Sequence, residues 1–214
     1  MRTLPLILAI FSAAPAFADT SLAGLQDRVV GQWRSLGCEM RPAKDPETGG
    51  VRPTYLTRDF TYDADGGFSA DIAIYAEPSC TTQLNVFSFA GEIAWHDENP
   101  AVPGAWSQDY ILNAALTITP TAQPIVDQMN SLPAGACGDA PYVLNEAQDI
   151  LGKPCVLVTI LEGNDYVVDH DLLYVRADAP NLLFMGGKHV DGTGFYAPDT
   201  RPTIGLQQPL IRVE

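Results

Sequence analysis

Between Tyr55 and Thr119 apolar residues recur at every second position, the spacing that sends side chains alternately to the two faces of a β-strand. Leu56, Phe60 and Tyr62 share one face, with Arg58 among them. Asp63-Ala64-Asp65-Gly66-Gly67 supplies turn chemistry, and Phe68, Ala70, Ile72, Ile74 and Ala76 then alternate with Ser69, Asp71 and Tyr75. A third strand runs from Thr82 to Trp95, with Phe87, Phe89, Ile93 and Trp95 on one face and Leu84 and Val86 on the other. The clearest strand spans 105–119. There Trp106, Tyr110, Leu112, Ala114, Leu116 and Ile118 face one way, and Ser107, Asp109, Asn113, Thr117 and Thr119 the other.

The flanking segments add two helices and further strands. Leu22, Leu25, Val29 and Val30 fall on one face of a helix over 21–30 that Thr20 or Ser21 can cap. Residues 32–40 read as extended, and prolines and glycines mark 42–53 as a loop. Residues 96–104 read as another loop. Ile125, Val126 and Met129 make the apolar side of a second helix over 120–132, capped by Thr121, with Pro124 tolerated in the first turn. Short strands are expected around 142–144 and over 155–161, 166–176, 182–185 and 203–213. The predicted class is mainly β with some α: an antiparallel curved sheet or half-open β-barrel with one or two covering helices.

Residues 1–18 read as a cleaved secretory signal: Arg2, a short apolar run from Leu4 to Phe11, and a small-x-small site at Ala16-Phe17-Ala18. The run is interrupted by Pro5 and Pro15 and is too short to span a bilayer, and no later stretch has transmembrane character. The expectation is a single domain over 19–214 in a periplasm or outside the cell. Four cysteines, Cys38, Cys80, Cys137 and Cys155, then read as two disulfides. Of three pairings, Cys38–Cys80 and Cys137–Cys155 each close within their own half of the chain. The formal charge of -14 argues against a nucleic-acid partner, which needs clustered Lys and Arg.

Several stretches together resemble the adenomatosis polyposis coli down-regulated domain family. Gly31-Gln32-Trp33-Arg34-Ser35 leading into Cys38-Glu39-Met40-Arg41-Pro42 is similar to its opening, and Tyr75-Ala76-Glu77-Pro78-Ser79-Cys80 to its next element. The strand and helix over 112–130, Cys137-Gly138 and the closing Arg201-Pro202-Thr203 through Gln208-Pro209-Leu210 follow in family order. Ile204 departs from the family's Ser after Arg-Pro-Thr, and the segment between Gly138 and Cys155 is short. The resemblance implies a barrel-like domain whose apolar cavity handles lipid. In animals such proteins bind the acyl chain of Wnt ligands; here the implication extends to the cavity alone.

Other motifs carry less. Gly31-x-Trp33 also resembles the first strand of lipocalins, where such a Trp plugs the closed barrel end. Asp63-Ala64-Asp65-Gly66 resembles the start of a calcium loop, but position 74 is Ile, and a hairpin turn explains it better. His96, His170 and His189 sit beside acids, yet nothing in the sequence brings them together, so neither a metal nor a catalytic site is predicted. No nucleophile elbow or phosphate loop occurs, and no cofactor is expected. The alternation carries the functional expectation. Phe68, Ile72, Ile74, Phe87, Phe89, Tyr110, Leu112, Leu116 and Ile118 are the candidate walls of an apolar cavity, with few titratable groups, for a lipid or lipid-modified ligand. The alternatives are a periplasmic hydrolase with a cleft between sheet and helix, and a partner-binding or structural protein with a filled core.

Overall fold

The computed structural model describes residues 19–45, 48–100, 102–139, 141–155, 166–189, 196–203 and 206–214. The signal over 1–18, the strand expected over 156–161 and the turn at 163–165 lie outside the described residues. Along the chain run α1 (Leu22–Val29), β1 (Gly31–Ser35), β2 (Glu39–Lys44), β3 (Val51–Tyr62), β4 (Gly67–Tyr75), β5 (Gln83–Glu98), β6 (Trp106–Pro120), α2 (Gln123–Ser131), β7 (Gln148–Asp149), β8 (Val167–Val175), β9 (Leu182–Met185) and β10 (Leu210–Arg212).

All strands pair antiparallel in one sheet, in the order β1-β10-β9-β8-β6-β5-β4-β3-β2, with β7 beside β6. Trp33 and Arg34 of β1 pair with Arg212 and Ile211 on one edge and with Phe60 and Asp59 of β3 on the other. The hydrogen-bonded path therefore returns to its start, and of the described strands only β2 and β7 lie off it. Closure gives each ring strand a neighbour on both sides over at least part of its length and turns the inward face of each toward a shared interior.

α1 sits at the end of this ring where β1 begins. Ser21 caps it by accepting from the Gly24 N–H at 3.1 Å, and Leu25 and Val29 are buried. Trp33 is fully buried, its Nε1–H donates to the Val29 carbonyl at 2.7 Å, and the Arg212 guanidinium lies 4.2 Å from its ring centroid. Trp33 thus packs in the core and is not among the residues that line the cavity inside the ring. Asp63–Gly67 is the hairpin turn, with Gly66 at φ +90, a conformation that favours glycine.

The structure corrects the sequence reading at several places, and among the described residues the strand expected over 203–213 is confined to Leu210–Arg212. The loop expected over 42–53 shrinks because Pro42 and Pro53 face each other in the β2–β3 ladder. β2 is an edge strand, where a missing N–H can point to solvent. β5 continues through His96 to Glu98, into the loop expected after Trp95. Ala114 is exposed, because the register slips between Ala90 and Glu92 and leaves extra β6 residues bulged. Thr121 does not cap α2: Ala122 is the N-cap, and the Thr121 hydroxyl has no partner among the described residues. Tyr142 is not in a strand, because Asn130 takes its N–H at 2.7 Å and its carbonyl at 2.9 Å; the short strand falls at Gln148–Asp149 instead.

Both expected disulfides are present, Cys38–Cys80 and Cys137–Cys155. They fit an oxidising compartment. Among the described residues no helix is long and apolar enough to cross a membrane.

Candidate functional site

Inside the ring lies a cavity of about 260 Å3. Alternation along β4, β5 and β6 brings Ile72, Phe87, Phe89, Tyr110, Leu112 and Leu116 to its wall. These are six of the nine residues expected there, and Phe60, Val167, Met185 and Tyr196 join them. The other three lie elsewhere. Phe68 packs deeper, its ring centroid 4.7 Å from that of Tyr110 and 6.2 Å from that of Phe89. Ile118 is fully buried in the core, opposite Gln148 of β7. Ile74, near the end of β4, lies opposite Leu56 and Asn85 and is half-buried.

The wall is not apolar all round, which corrects the expectation of few titratable groups. Arg41, Arg58, Asp169, Asp171, Lys188 and Gln207 also line the cavity, from β2, β3, β8, the stretch after β9 and the stretch before β10. β4, β5 and β6 contribute only apolar and aromatic side chains, whereas β3 and β8 each carry both apolar and charged lining residues, so the cavity has one oily wall and one mixed, polar wall.

The charged wall is organised in two groups. Arg58 is fully buried. Its Nε–H donates to Glu39 Oε1 at 2.8 Å, and its other nitrogens reach the Gln208 carbonyl at 2.7 Å and Met185 Sδ at 3.2 Å. Ser35 donates to the same Glu39 oxygen at 2.6 Å and accepts the Arg58 backbone N–H at 2.7 Å. Arg41 approaches the second Glu39 oxygen at only 3.5 Å. Burial, then the neighbouring Arg58 charge, pushes the Arg41 guanidinium down to about 10.

In the second group Lys188 Nζ lies 3.4 Å from carboxylate oxygens of both Asp169 and Asp171. Asp171 is buried and accepts the Leu172 and Gly186 N–H groups at 2.7 and 2.8 Å. Burial raises its carboxyl above the usual range; Lys188 works against that shift and Asp169 adds to it. Burial, with Asp169 adding, also pushes the Tyr196 phenol up to about 12. The Tyr62 and Tyr110 hydroxyls bond each other at 2.5 Å, and burial raises both well above the ordinary phenol range. Each thus stays a neutral phenol at physiological pH.

A separate cluster lies on the outer face of β5, β6 and β8. Asp109 accepts from His96 Nε2 at 2.8 Å and His170 Nδ1 at 2.6 Å, and Arg201 also bonds it. Burial opposes its ionisation, but these bonds outweigh burial and hold the carboxyl below its usual value. Two of the three histidines that the sequence left apart are therefore brought together, by register: Asp109 sits opposite His170 and Ala94. The Arg201 guanidinium occupies the same carboxylate, so the cluster carries its own cation. Among the described residues no three His, Cys, Asp or Glu side chains form a metal-holding group.

Sequence reasoning missed the charged wall, although part of its signal was present. Arg58 falls in the inward register of Leu56 and Phe60, and alternation through Asp169-His170-Asp171 puts the two acids on one face and the histidine on the other. Nothing local marks Lys188 or Gln207, which reach the cavity from loops.

Among curated proteins none matches the chain significantly. The family model described as adenomatosis polyposis coli down-regulated 1 matches residues 18–151, more than half of the chain, and covers the opening motif, both hairpins and β6 with α2. The similarity noted at Arg201–Leu210 lies beyond that span. The chain thus belongs to the adenomatosis polyposis coli down-regulated 1 family.

Proposed function

We propose that this protein is a secreted or periplasmic binding module that holds a lipid, or the lipid part of a modified ligand, in the cavity inside its sheet. The observation that carries this reading is the cavity itself, about 260 Å3 with an oily wall built from three consecutive strands. A dry protein cavity of about 150 Å3 accepts benzene, so this one scales to roughly ten carbon atoms. Burying ten methylenes contributes about 8 kcal/mol before the costs of association, enough for a micromolar complex when those costs are small. Family membership and the β-rich fold are consistent with such a module.

The test is a pair of tryptophan substitutions read by native mass spectrometry and by displacement of a fluorescent probe with decanol. Ile72→Trp fills space on the cavity wall and abolishes decanol binding. Ile74→Trp, two residues along the same strand but off the wall, leaves it unchanged. Failure of the folded parent to bind, or retention of full binding by folded Ile72→Trp, overturns the proposal.

A further inference from the structure

Charge accounting on the polar wall identifies what end of a ligand belongs there. Glu39 is engaged at 2.8 Å by Arg58 and at 2.6 Å by Ser35, which leaves its second oxygen 3.5 Å from Arg41. Asp169 and Asp171 both lie against Lys188, and Asp171 spends one oxygen on two backbone N–H groups. Arg41 is therefore the guanidinium on the cavity wall with the weakest compensation, although its side chain is only 18% exposed. A partly desolvated guanidinium presents a planar fork of N–H donors that matches a carboxylate in bidentate fashion. Arg58 behind it adds positive potential.

The oily wall on β4–β6 and the Arg41 side of the cavity are two parts of one space, so a ligand filling it is amphiphilic. We infer that the cavity takes a single-chain amphiphile with a carboxylate head, and that Arg41 binds that head while the chain lies against β4, β5 and β6. This inference rests on the proposed lipid-holding function and narrows it to anionic ligands. A neutral ester or alcohol leaves Arg41 with Glu39 at 3.5 Å, and an ammonium head placed beside Arg41 meets the Arg41 and Arg58 charges, with Lys188 a third cation on the same wall.

The experiment compares decanoate, decanol and decylamine against the intact secreted protein by titration calorimetry at pH 7.4. Decanoate binds at least tenfold more tightly than either of the others. Arg41→Gln lowers decanoate affinity at least tenfold and cancels the preference for decanoate over decanol, whereas retention of that preference by the folded variant overturns the role of Arg41. Circular dichroism and disulfide mapping confirm that the variant is folded. Should it fail to fold, the ranking of the three heads by the parent decides alone. Equal binding of decanoate and decanol, or tightest binding of decylamine, overturns the carboxylate assignment and leaves the cavity reading standing. Binding of none of the three overturns both.

Discussion

Replacing Arg58 by Met removes a cation from a place that water does not reach. The Arg58 and Glu39 side chains are 1% and 3% exposed and lie 2.8 Å apart. At an effective dielectric constant of about 20 that separation corresponds to roughly 6 kcal/mol of gross attraction, most of it offset by the cost of burying both charges. The loss on mutation is set by what remains: a buried Glu39 carboxylate holding only Ser35 and a distant Arg41. Breaking a buried pair from one side costs about 3–5 kcal/mol, a fall of roughly 6–20 °C in Tm for a chain of this size. Urea unfolding of Arg58→Met, Glu39→Gln and the double variant measures it. The double variant is expected to be more stable than Arg58→Met alone, with a coupling energy of about 2 kcal/mol or more. Additive single effects, or a cost below about 1 kcal/mol for Arg58→Met, would refute the assignment of this pair as a buried, mutually dependent unit.

Cys38–Cys80 and Cys137–Cys155 close loops of 42 and 18 residues, so chain entropy assigns them about 4 and about 3 kcal/mol; paired Cys→Ala variants in urea are expected in that order, and a reversed order contradicts the entropic account. Asp109→Asn weakens bonds to His96, His170 and Arg201 and costs about 1–3 kcal/mol at neutral pH. Because the folded-state carboxyl of Asp109 lies below the reference value of 3.8, its contribution is complete above that value and is lost as pH falls through the lower folded value; a difference in urea midpoint that grows on acidification would contradict this sign. A Cβ at Gly91 would lie 1.8 Å from the Ile111 carbonyl oxygen, so Gly91→Ala forces the bulge apart and costs about 1–3 kcal/mol, and an unchanged thermal midpoint would show that the strands can part freely.

The alternation from Tyr55 to Thr119 determined β3 to β6, their turns and the inward parity of Ile72, Phe87, Phe89, Tyr110, Leu112 and Leu116, because facing along a strand is a local property of the backbone. The even, well-separated cysteines and the family motifs were legible for the same reason: each is a short stretch read by itself. What the sequence left open was decided by closure. Arg58 finds Met185 and Gln208, which lie 127 and 150 residues away, only because β1 joins β3 to β10. The same closure sets Arg41, Asp171 and Lys188 around one interior, and pairing between β6 and β8 places His170 beside Asp109. Register slips moved Ala114 outward, and strand ends moved Phe68, Ile74 and Ile118 off the wall. Parity is set by each peptide unit in turn, whereas the company a side chain keeps across a ring depends on long-range register, which no local spacing encodes.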